Sequence, residues 1–252
     1  ELYKDADAYA KKINVPFCPE SELSGIGHTD FMNSVWYRRE VELEEKQLEG
    51  RVLLHFGAVD YMATIYVNGE KCGTHKGGYV SFAVDITDHV HAGKNTIVVN
   101  AADDTRSRLI PSGKQSEKYN SYGCQYTRTT GIWQTVWLEF VPENYIKKVK
   151  YVTDIEAGTL TIMAELVGKG TFLAETFYKG KPAGAASHIS GGGTAVLTVN
   201  LQEKHLWEVG NGRLYDLVLK YDRDVVKSYF GLRSLQLEGR KFLINGKSVF
   251  QR

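Results

Sequence analysis

The sequence predicts an all-β fold in which a jelly-roll sandwich is followed by an immunoglobulin-like sandwich. Three observations predict it. Short runs rich in Val, Ile, Thr, Tyr and Phe alternate apolar with polar residues, as half-buried strands do. Turn signals built from Gly, Asn, Asp and Pro separate these runs at short intervals. No stretch between the runs has a convincing amphipathic helix pattern, so we expect strands to pack on other strands.

The first series of predicted strands occupies the N-terminal part of the chain. Its members are residues 35–43, 51–56, 61–67, 71–74, 79–86 and 95–101. Asn68 and Gly69 both tolerate a positive φ, so they predict a two-residue type I′ hairpin. Before this series, the segment 15–20 contains two prolines, and we expect it to run extended along a sheet edge.

The stretch 126–139 closes this series and is predicted to contain a central strand of the sandwich. Its first half is polar, and in its second half apolar residues alternate. Period-two alternation puts Val136 and Leu138 on one face and Trp133 and Trp137 on the other. Both tryptophans are predicted to lie in the core of the sandwich rather than to form exposed binding platforms.

The stretch between residues 103 and 131 is the longest without strand periodicity, and loops of that length are commonly functional. We call it the polar loop. Its hydrogen-bonding and stacking side chains are Asp103, Asp104, Arg106, Arg108, Gln115, Tyr119, Asn120, Tyr122, Gln125, Tyr126 and Arg128. From this set we select five candidate binding residues. They are Asp103, Asp104, Gln125, Tyr126 and Arg128.

Two simpler interpretations of the polar loop stay open. The pair Asp103-Asp104 follows a strand, where two aspartates commonly form a turn. Arg106 and Arg128 could form ion pairs with those aspartates instead of contacting a ligand.

A second series of strands follows the helix- and strand-breaking residues 142–144, which predict a linker. Its members are residues 145–153, 159–166, 171–178, 195–201, 214–221 and 225–230, with a Gly- and Ser-rich break at 187–193. Six or seven short strands in this length predict an immunoglobulin-like sandwich. The turn signal Asn245-Gly246 predicts one more hairpin. It ends on an apolar strand, so we expect the natural polypeptide to continue.

Composition and charge argue against several classes of partner. The chain of 252 residues has 31 Lys and Arg against 30 Asp and Glu, a net charge of +1, and this balance predicts no nucleic-acid or membrane binding. The histidines have no metal-ligand spacing, so neither a metal nor a cofactor is expected. Cys18, Cys72 and Cys124 are odd in number and far apart, which favours a reduced, cytoplasmic compartment over a disulfide framework.

The motifs, in their joint order, resemble glycoside hydrolase family 2, the β-galactosidase and β-glucuronidase type. The resemblance extends from about residue 15 to the end of the sequence. The matching stretches are VWYRR (35–39), RVLLHFGAVD (51–60), VNG (67–69), GGY (77–79) with Phe82 and DIT (85–87), NTIVV (95–99), TGIWQTVWLE (130–139), LYDL (214–217), FGLR (230–233) and FLING (242–246).

The resemblance implies three modules in the parent protein. Residues 1–142 would be a jelly-roll, galactose-binding-like sugar-binding domain, and residues 143–230 an immunoglobulin-like sandwich. Residues 231–252 would begin a truncated catalytic (β/α)₈ barrel. In this family both catalytic glutamates lie on barrel strands, so no catalytic residue is expected in this chain. The implied partners are the parent's own barrel and its carbohydrate substrate, and homo-oligomerisation is left open.

The resemblance also implies a role for the segment just before the TGIW motif. In the family this segment can reach the active site of the barrel and often carries an acidic residue there. This sequence has Cys124-Gln125 instead. The predicted function is that of a non-catalytic N-terminal fragment of an O-glycosyl hydrolase of β-linked sugars, acting in carbohydrate metabolism. The fragment would help to shape and shield the active site of the barrel.

Two alternatives come from other functional classes. A free-standing carbohydrate-binding module would need an exposed aromatic platform. A purely structural interaction module would have a polar loop that packs only on protein.

Overall fold

The computed structural model describes residues 9–107 and 109–250, and these residues confirm the predicted all-β fold class. The strands are β1 (Ser34–Leu43), β2 (Arg51–Phe56), β3 (Val59–Asp60), β4 (Met62–Val67), β5 (Glu70–Lys76), β6 (Phe82–Asp85), β7 (Gly93–Ala102), β8 (Gly131–Ile132), β9 (Val136–Val141), β10 (Tyr145–Asp154), β11 (Thr159–Val167), β12 (Gly170–Tyr178), β13 (Lys181–Ser190), β14 (Gly193–Asn200), β15 (Tyr215–Tyr221), β16 (Asp224–Phe230), β17 (Leu235–Glu238), β18 (Lys241–Ile244) and β19 (Lys247–Ser248). Short 3₁₀ helices lie at Glu22–Ser24, Glu45–Leu48 and Thr87–His89. Within the described residues, no helix is long and apolar enough to span a membrane.

The first compact unit of the chain ends at Phe140 and is an antiparallel sandwich. One sheet has the order β1-β7-β4-β5, another has the order β6-β2-β9, and β3 pairs with β8. The register of β1 against β7 runs without a shift from Ser34↔Ala102 to Leu43↔Gly93. Alternate side chains of these strands meet in one apolar core. Its buried members include Val52, Leu54, Phe56, Ala63, Ile65, Val67, Ile86, Ile97, Val99, Ala101 and Ile132.

The two predicted hairpin turns are confirmed. Asn68 and Gly69 join β4 to β5 with φ of 50° and 85°. Asn245 and Gly246 join β18 to β19 with φ of 51° and 74°. Two consecutive positive φ values match the right-handed twist of the flanking strands, which is why this residue pair is favoured there.

The second compact unit starts at Val141 and has its own core. Its sheets have the orders β10-β11-β14 and β13-β12-β15-β16, and a three-stranded sheet, β17-β18-β19, follows in the chain. The largest fully buried side chains of this core are Tyr215, Tyr221, Phe172, Leu160, Ile162, Leu217, Leu219 and Leu232. The domain limits predicted at 142 and 230, and the assignment of 231–252 to the start of a barrel, stay predictions.

Strand β13 is missing from the sequence prediction, which placed a break at 187–193. The strand pairs with β12 from Gly170↔Ser190 to Tyr178↔Lys181. Its Gly, Ala and Ser residues have weak strand propensity, but pairing with a neighbouring strand overrides propensity. The segment 15–20 also differs from its prediction, because two successive turns replace the extended edge: Phe17 N–H donates to Asn14 O (3.0 Å) and Ser21 N–H donates to Cys18 O (3.0 Å).

The predicted central strand is wrong in two respects. Residues 133–135 interrupt it, so that β8 and β9 belong to different sheets, and β9 lies at the edge of the order β6-β2-β9. Val136 and Leu138 are half-buried against the core, as predicted. Trp137, on the opposite face, is 44% exposed, so the prediction that it lies in the core is wrong. In a two-layer sandwich only the inner face of each sheet is covered, so within this unit the outer face of β9, which carries Trp137, is open to solvent.

Candidate functional site

The C-terminal part of the polar loop, residues 111–130, is held by its own backbone, and we call it the site loop. Ser116 N–H donates to Tyr126 O (2.7 Å), and Tyr126 N–H donates to Lys114 O (2.9 Å). At the tip, Tyr122 and Gln125 exchange a pair of backbone hydrogen bonds of 3.1 and 2.8 Å. In a long loop, main-chain groups commonly form hydrogen bonds with water. Here they bond to one another, so the site loop has a defined conformation.

Arg128 is a buried residue whose hydrogen bonds hold the base of the site loop in place. Its side chain is buried, and its Nη1 donates to Lys118 O (2.5 Å) and Tyr119 O (3.2 Å). Its Nη2 donates to Thr29 O, and the guanidinium lies over the ring of Phe31 at 4.2 Å. The terminal nitrogens therefore bond main-chain carbonyls rather than Asp103 or Asp104. Direct contact between Arg128 and a ligand stays a prediction, and this burial does not favour it.

Gln115 connects the site loop to the sandwich. Its Nε2 donates to Asp60 Oδ2 at the end of β3 (2.9 Å), and its Oε1 accepts from Thr129 N–H (2.6 Å). Asp60 in turn packs against Gly78, where a Cβ would lie 2.2 Å from Asp60 Oδ1. Only a glycine leaves room for the carboxylate at that position.

Glu20 holds the last residue of the site loop. Its two carboxylate oxygens accept from Thr130 N–H at 3.1 and 3.2 Å, and the whole residue is buried. Next along the chain, Ile132 N–H donates to the hydroxyl of Tyr37 (3.2 Å). Burial and the neighbouring Glu20 carboxylate both raise the pKa of Tyr37.

Asp103 is close enough to Asp60 and Glu20 for both carboxylates to act on its pKa, so three acidic residues share the region under the loop. Asp60 is 1% exposed and Asp103 is 3% exposed. Burial, with the charge of Asp60 next, raises the pKa of Asp103 to about 7. Burial also raises the pKa of Asp60 to about 6, although the hydrogen bond from Gln115 acts in the opposite direction.

The other predicted site residues lie nearer to solvent. Asp104 is half-buried and forms a turn, in which Arg106 N–H donates to its Oδ1 (3.2 Å). The turn is the simpler interpretation of Asp104 that the sequence allows, the other being contact with a ligand. Gln125 is half-buried, and Tyr126 is 45% exposed. Arg108, also part of the polar loop, lies outside the described residues.

An aromatic wall stands next to Tyr126. Tyr79 is 56% exposed and meets the ring of Trp133 edge-on at 5.6 Å, while Trp133 Nε1 donates to Gly78 O (2.8 Å). Burial and the nearby Tyr126 hydroxyl raise the pKa of Tyr79 to about 12. Two tyrosine rings are therefore exposed here, those of Tyr79 and Tyr126, and aromatic rings of this kind bind the C–H faces of sugars.

The structure therefore brings only part of the predicted set together. Asp103 is buried in the same region as Asp60, Glu20 and Gln115, whereas Gln125 is half-buried and Tyr126 is exposed. One signal for Asp60 is present in the sequence, because an acidic residue ends an apolar strand segment there. Nothing local pointed to Glu20, because its partner Thr130 is 110 positions away. In the described part of the chain, no three His, Cys, Asp or Glu side chains lie together in a way that could hold a metal ion.

Comparisons with known proteins agree with this architecture. The family described as glycosyl hydrolases family 2, sugar binding domain, matches residues 10–142. The chain is 28% identical over 239 residues to the β-galactosidase of Thermoanaerobacter pseudethanolicus, covering 87% of this chain and 31% of that protein. It is 27% identical over 247 residues to the β-glucuronidase of Mus musculus, covering 88% of this chain and 38% of that protein.

A solved structure shows the same fold. The crystal structure of Ruminococcus gnavus β-glucuronidase superposes with a TM-score of 0.72 at 22% identity, over 95% of this chain and 43% of that chain. The chain thus spans about a third to two fifths of the length of these relatives. Because the sugar-binding-domain match extends over more than half of its residues, the chain belongs to glycosyl hydrolases family 2.

Proposed function

We propose that this chain is the non-catalytic sugar-binding and immunoglobulin-like part of a family 2 β-glycosidase, and that its site loop helps to shape and shield the substrate pocket of the parent enzyme. The observation that carries the proposal is the site loop itself. It is long and polar, it is anchored at Gln115, Arg128 and Thr130, and it leaves Tyr126 exposed with Gln125 half-buried beside it. A loop that is rigid at its base and polar at its surface suits ligand positioning.

The acidic cluster does not supply hydrolysis on its own. A retaining glycosidase needs two carboxyl groups about 5–5.5 Å apart that both reach the glycosidic bond. Asp60, Asp103 and Glu20 are each less than one tenth exposed, and Glu20 is engaged by the backbone of Thr130. We therefore assign the acid/base and the nucleophile to the remainder of the parent enzyme. Relatives named β-galactosidase and β-glucuronidase suggest a β-linked substrate.

The experiment that tests the proposal compares variants of the full-length parent enzyme. Tyr126→Ala removes an exposed ring from the site loop and should lower kcat/KM for the preferred β-glycoside about tenfold, with an unchanged melting temperature. Tyr229→Ala is the matched control, because Tyr229 is also exposed (66%) but lies on β16 of the second unit. Equal kcat/KM for wild type and Tyr126→Ala would refute a role of the site loop in substrate binding.

A second candidate function is supported by one separate observation. Trp137 is 44% exposed and stacks on His55 at 4.8 Å, and His55 Nε2 lies 2.6 Å from Glu139 Oε2. An exposed indole beside polar groups is the kind of platform that a carbohydrate-binding module needs. The opposite sheet offers a control, because Trp36 is 38% exposed and stacks on Tyr66.

Glycan-array binding by the isolated chain separates the candidates. Binding that Trp137→Ala abolishes and Trp36→Ala retains would favour the free-standing module. Absence of binding, together with catalytic glutamates encoded after Arg252 in the gene, would favour the glycosidase part. Absence of both would leave a structural interaction module, whose polar loop packs only on protein.

A further inference from the structure

The two sheets of the first unit leave a cleft along one side of the sandwich. Strand β1 is at the edge of the four-stranded sheet, and β9 is at the edge of the three-stranded sheet. Residues of both edge strands line the cleft, which has a volume of about 880 Å³. The buried core side chains Leu54, Phe56 and Ile97 also line it. The cleft therefore lies between two sheet edges and reaches the apolar core.

The open edge of β9 is a place where another strand can pair. The strand has six residues, Val136–Val141, and among the described strands it pairs only with β2. An edge strand presents a row of backbone N–H and C=O groups that a further extended segment can bond. Val136 and Leu138 are half-buried and line the cleft. A strand paired with β9 would therefore bring every second side chain next to them.

The rim of the cleft is positively charged. Lys11, Lys12 and Arg39 line the cleft and are exposed. Arg38 also lines it, but its charge is paired with Glu40 at 2.7 Å. No aspartate or glutamate is among the described residues that line the cleft. This distribution of charge favours an occupant with acidic side chains.

One enclosed polar atom of the cleft has no partner. The hydroxyl oxygen of Tyr9 is buried, and among the described residues it has no hydrogen-bond partner. Buried polar atoms nearly always have one. An extended segment of polypeptide offers carbonyl acceptors at regular intervals along the cleft, which an apolar small molecule does not.

We propose that this cleft is the docking groove of one further strand, which pairs with the open edge of β9 and has apolar residues alternating with acidic ones. The parent polypeptide supplies this strand from outside these 252 residues, so in this one respect the inference rests on the proposed function. The apolar side chains of the strand fill the cleft beside Val136 and Leu138, and its acidic side chains lie near the cationic rim. A strand that matches the six residues of β9 is about 20 Å long.

Binding of the dye anilinonaphthalene sulfonate tests whether the cleft is filled in the parent enzyme. The dye is apolar and anionic, so the isolated chain should bind it with a rise in fluorescence. Arg39→Glu should weaken this binding about fivefold. Arg223→Glu is the matched control, because Arg223 is an exposed turn residue of the second unit, and the affinity should not change. In the full-length parent, where the strand fills the cleft, Arg39→Glu should have no effect on dye binding.

Hydrogen exchange of the β9 amides tests the pairing itself. Amides on the open edge of β9 should exchange at least about tenfold more slowly in the parent than in the isolated chain, because the added strand bonds them. In the parent, Arg39→Glu should raise their exchange rate about threefold or more, since it places a carboxylate next to an acidic strand. Arg223→Glu should leave the rate unchanged. Equal β9 exchange in the parent and in the isolated chain would overturn the proposal, and protection that Arg39→Glu does not alter would contradict the acidic character of the strand.

The same measurements distinguish other occupants of the cleft. Dye binding by the parent that depends on Arg39 would mean that the cleft stays open to a small apolar anion. Protection of β9 that falls on dilution of the parent, together with dissociation of a dimer in sedimentation, would mean that a second copy fills the cleft. Either result would make the proposal wrong. Neither measurement uses a substrate, so its failure is separate from the failure of the Tyr126→Ala test of the site loop.

Discussion

Arg128 illustrates how one buried charge organises a loop. Its guanidinium bonds carbonyls of Lys118, Tyr119 and Thr29, which come from two distant parts of the chain. Charge-assisted hydrogen bonds to the backbone are stronger than neutral ones, and they leave the arginine few donors for a ligand. The sequence indicates that Arg128 is important, because the residue lies in a polar loop. It does not predict that the hydrogen-bond partners of Arg128 are main-chain carbonyls.

Replacing Arg128 should destabilise the first unit. Arg128→Met keeps the apolar contact with Phe31 but leaves several buried carbonyls without donors, and we expect the free energy of unfolding to fall by about 2–4 kcal/mol. Urea denaturation followed by tryptophan fluorescence measures this change. Arg106→Met is the matched control, because Arg106 also lies over Phe31, at 4.3 Å, but is exposed. Its effect should stay below about 1 kcal/mol.

The buried acids mark the limit of sequence reasoning at this scale. Asp103 was predicted as a site residue, and Asp60 and Glu20 were not. Asp60 and Glu20 act on the pKa of Asp103 because the ends of β3 and β7 and the segment before β1 come near each other in space. Side-chain convergence of this kind depends on the register of distant strands, which a single sequence does not specify.

At the scale of elements, strands and tight turns were predictable where the local signal was strong. Both Asn-Gly hairpins were confirmed, because this pair adopts positive φ at low cost. The failures share one cause. Strand β13 forms because it pairs with β12, and β9 lies at the edge of its sheet. Both properties depend on distant parts of the chain, so the local periodicity of the sequence does not predict them. Trp137 is exposed because it lies on the outer face of its sheet, opposite Val136 and Leu138.

One element-scale prediction concerns Tyr215 on β15. Its hydroxyl donates to Glu203 O (2.6 Å) and accepts from His205 N–H (2.8 Å), so it ties the segment before β15 to the second core. Tyr215→Phe should lower the free energy of unfolding of the second unit by about 1–2 kcal/mol, because the buried ring is kept and two hydrogen bonds are lost.

The comparison variant for that measurement is Tyr229→Phe. Tyr229 is 66% exposed, so loss of its hydroxyl should change the free energy of unfolding by less than about 0.5 kcal/mol. Chemical denaturation monitored by circular dichroism gives both values. Equal effects of the two substitutions would show that the Tyr215 hydroxyl does not tie this segment to the core.

At the scale of the whole molecule, the chain consists of two compact units with separate apolar cores. The fold class was predictable from alternation and turn chemistry together. The role of the site loop could not be predicted from the residue pattern alone. No motif in these residues identifies the side chains that would complete a substrate pocket.

The stability of the folded chain should depend on pH through Asp60 and Asp103. The pKa of Asp60 and of Asp103 is raised above the ordinary aspartate value of 3.8, so the folded state holds more protons than the unfolded chain. Their contribution to stability is complete below about pH 4 and is lost as pH rises towards about 7. The double variant Asp60→Asn/Asp103→Asn cannot ionise at these positions.

Urea denaturation at several pH values compares the double variant with wild type. The free energy of unfolding of the variant, relative to wild type, should increase from about pH 4 to about pH 7 and then stay constant. A difference that is independent of pH would show that both acids titrate with ordinary pKa values in the folded protein.

In the function that we propose, this chain helps to form the substrate pocket and does not carry out the hydrolytic step. The most direct measurement is the hydrolysis of nitrophenyl β-galactoside and nitrophenyl β-glucuronide by the purified chain and by its full-length parent. We predict turnover of at least one substrate by the parent and only the uncatalysed rate with the isolated chain. Turnover by the isolated chain that survives repeated purification, and that Asp60→Asn or Asp103→Asn abolishes, would contradict the account.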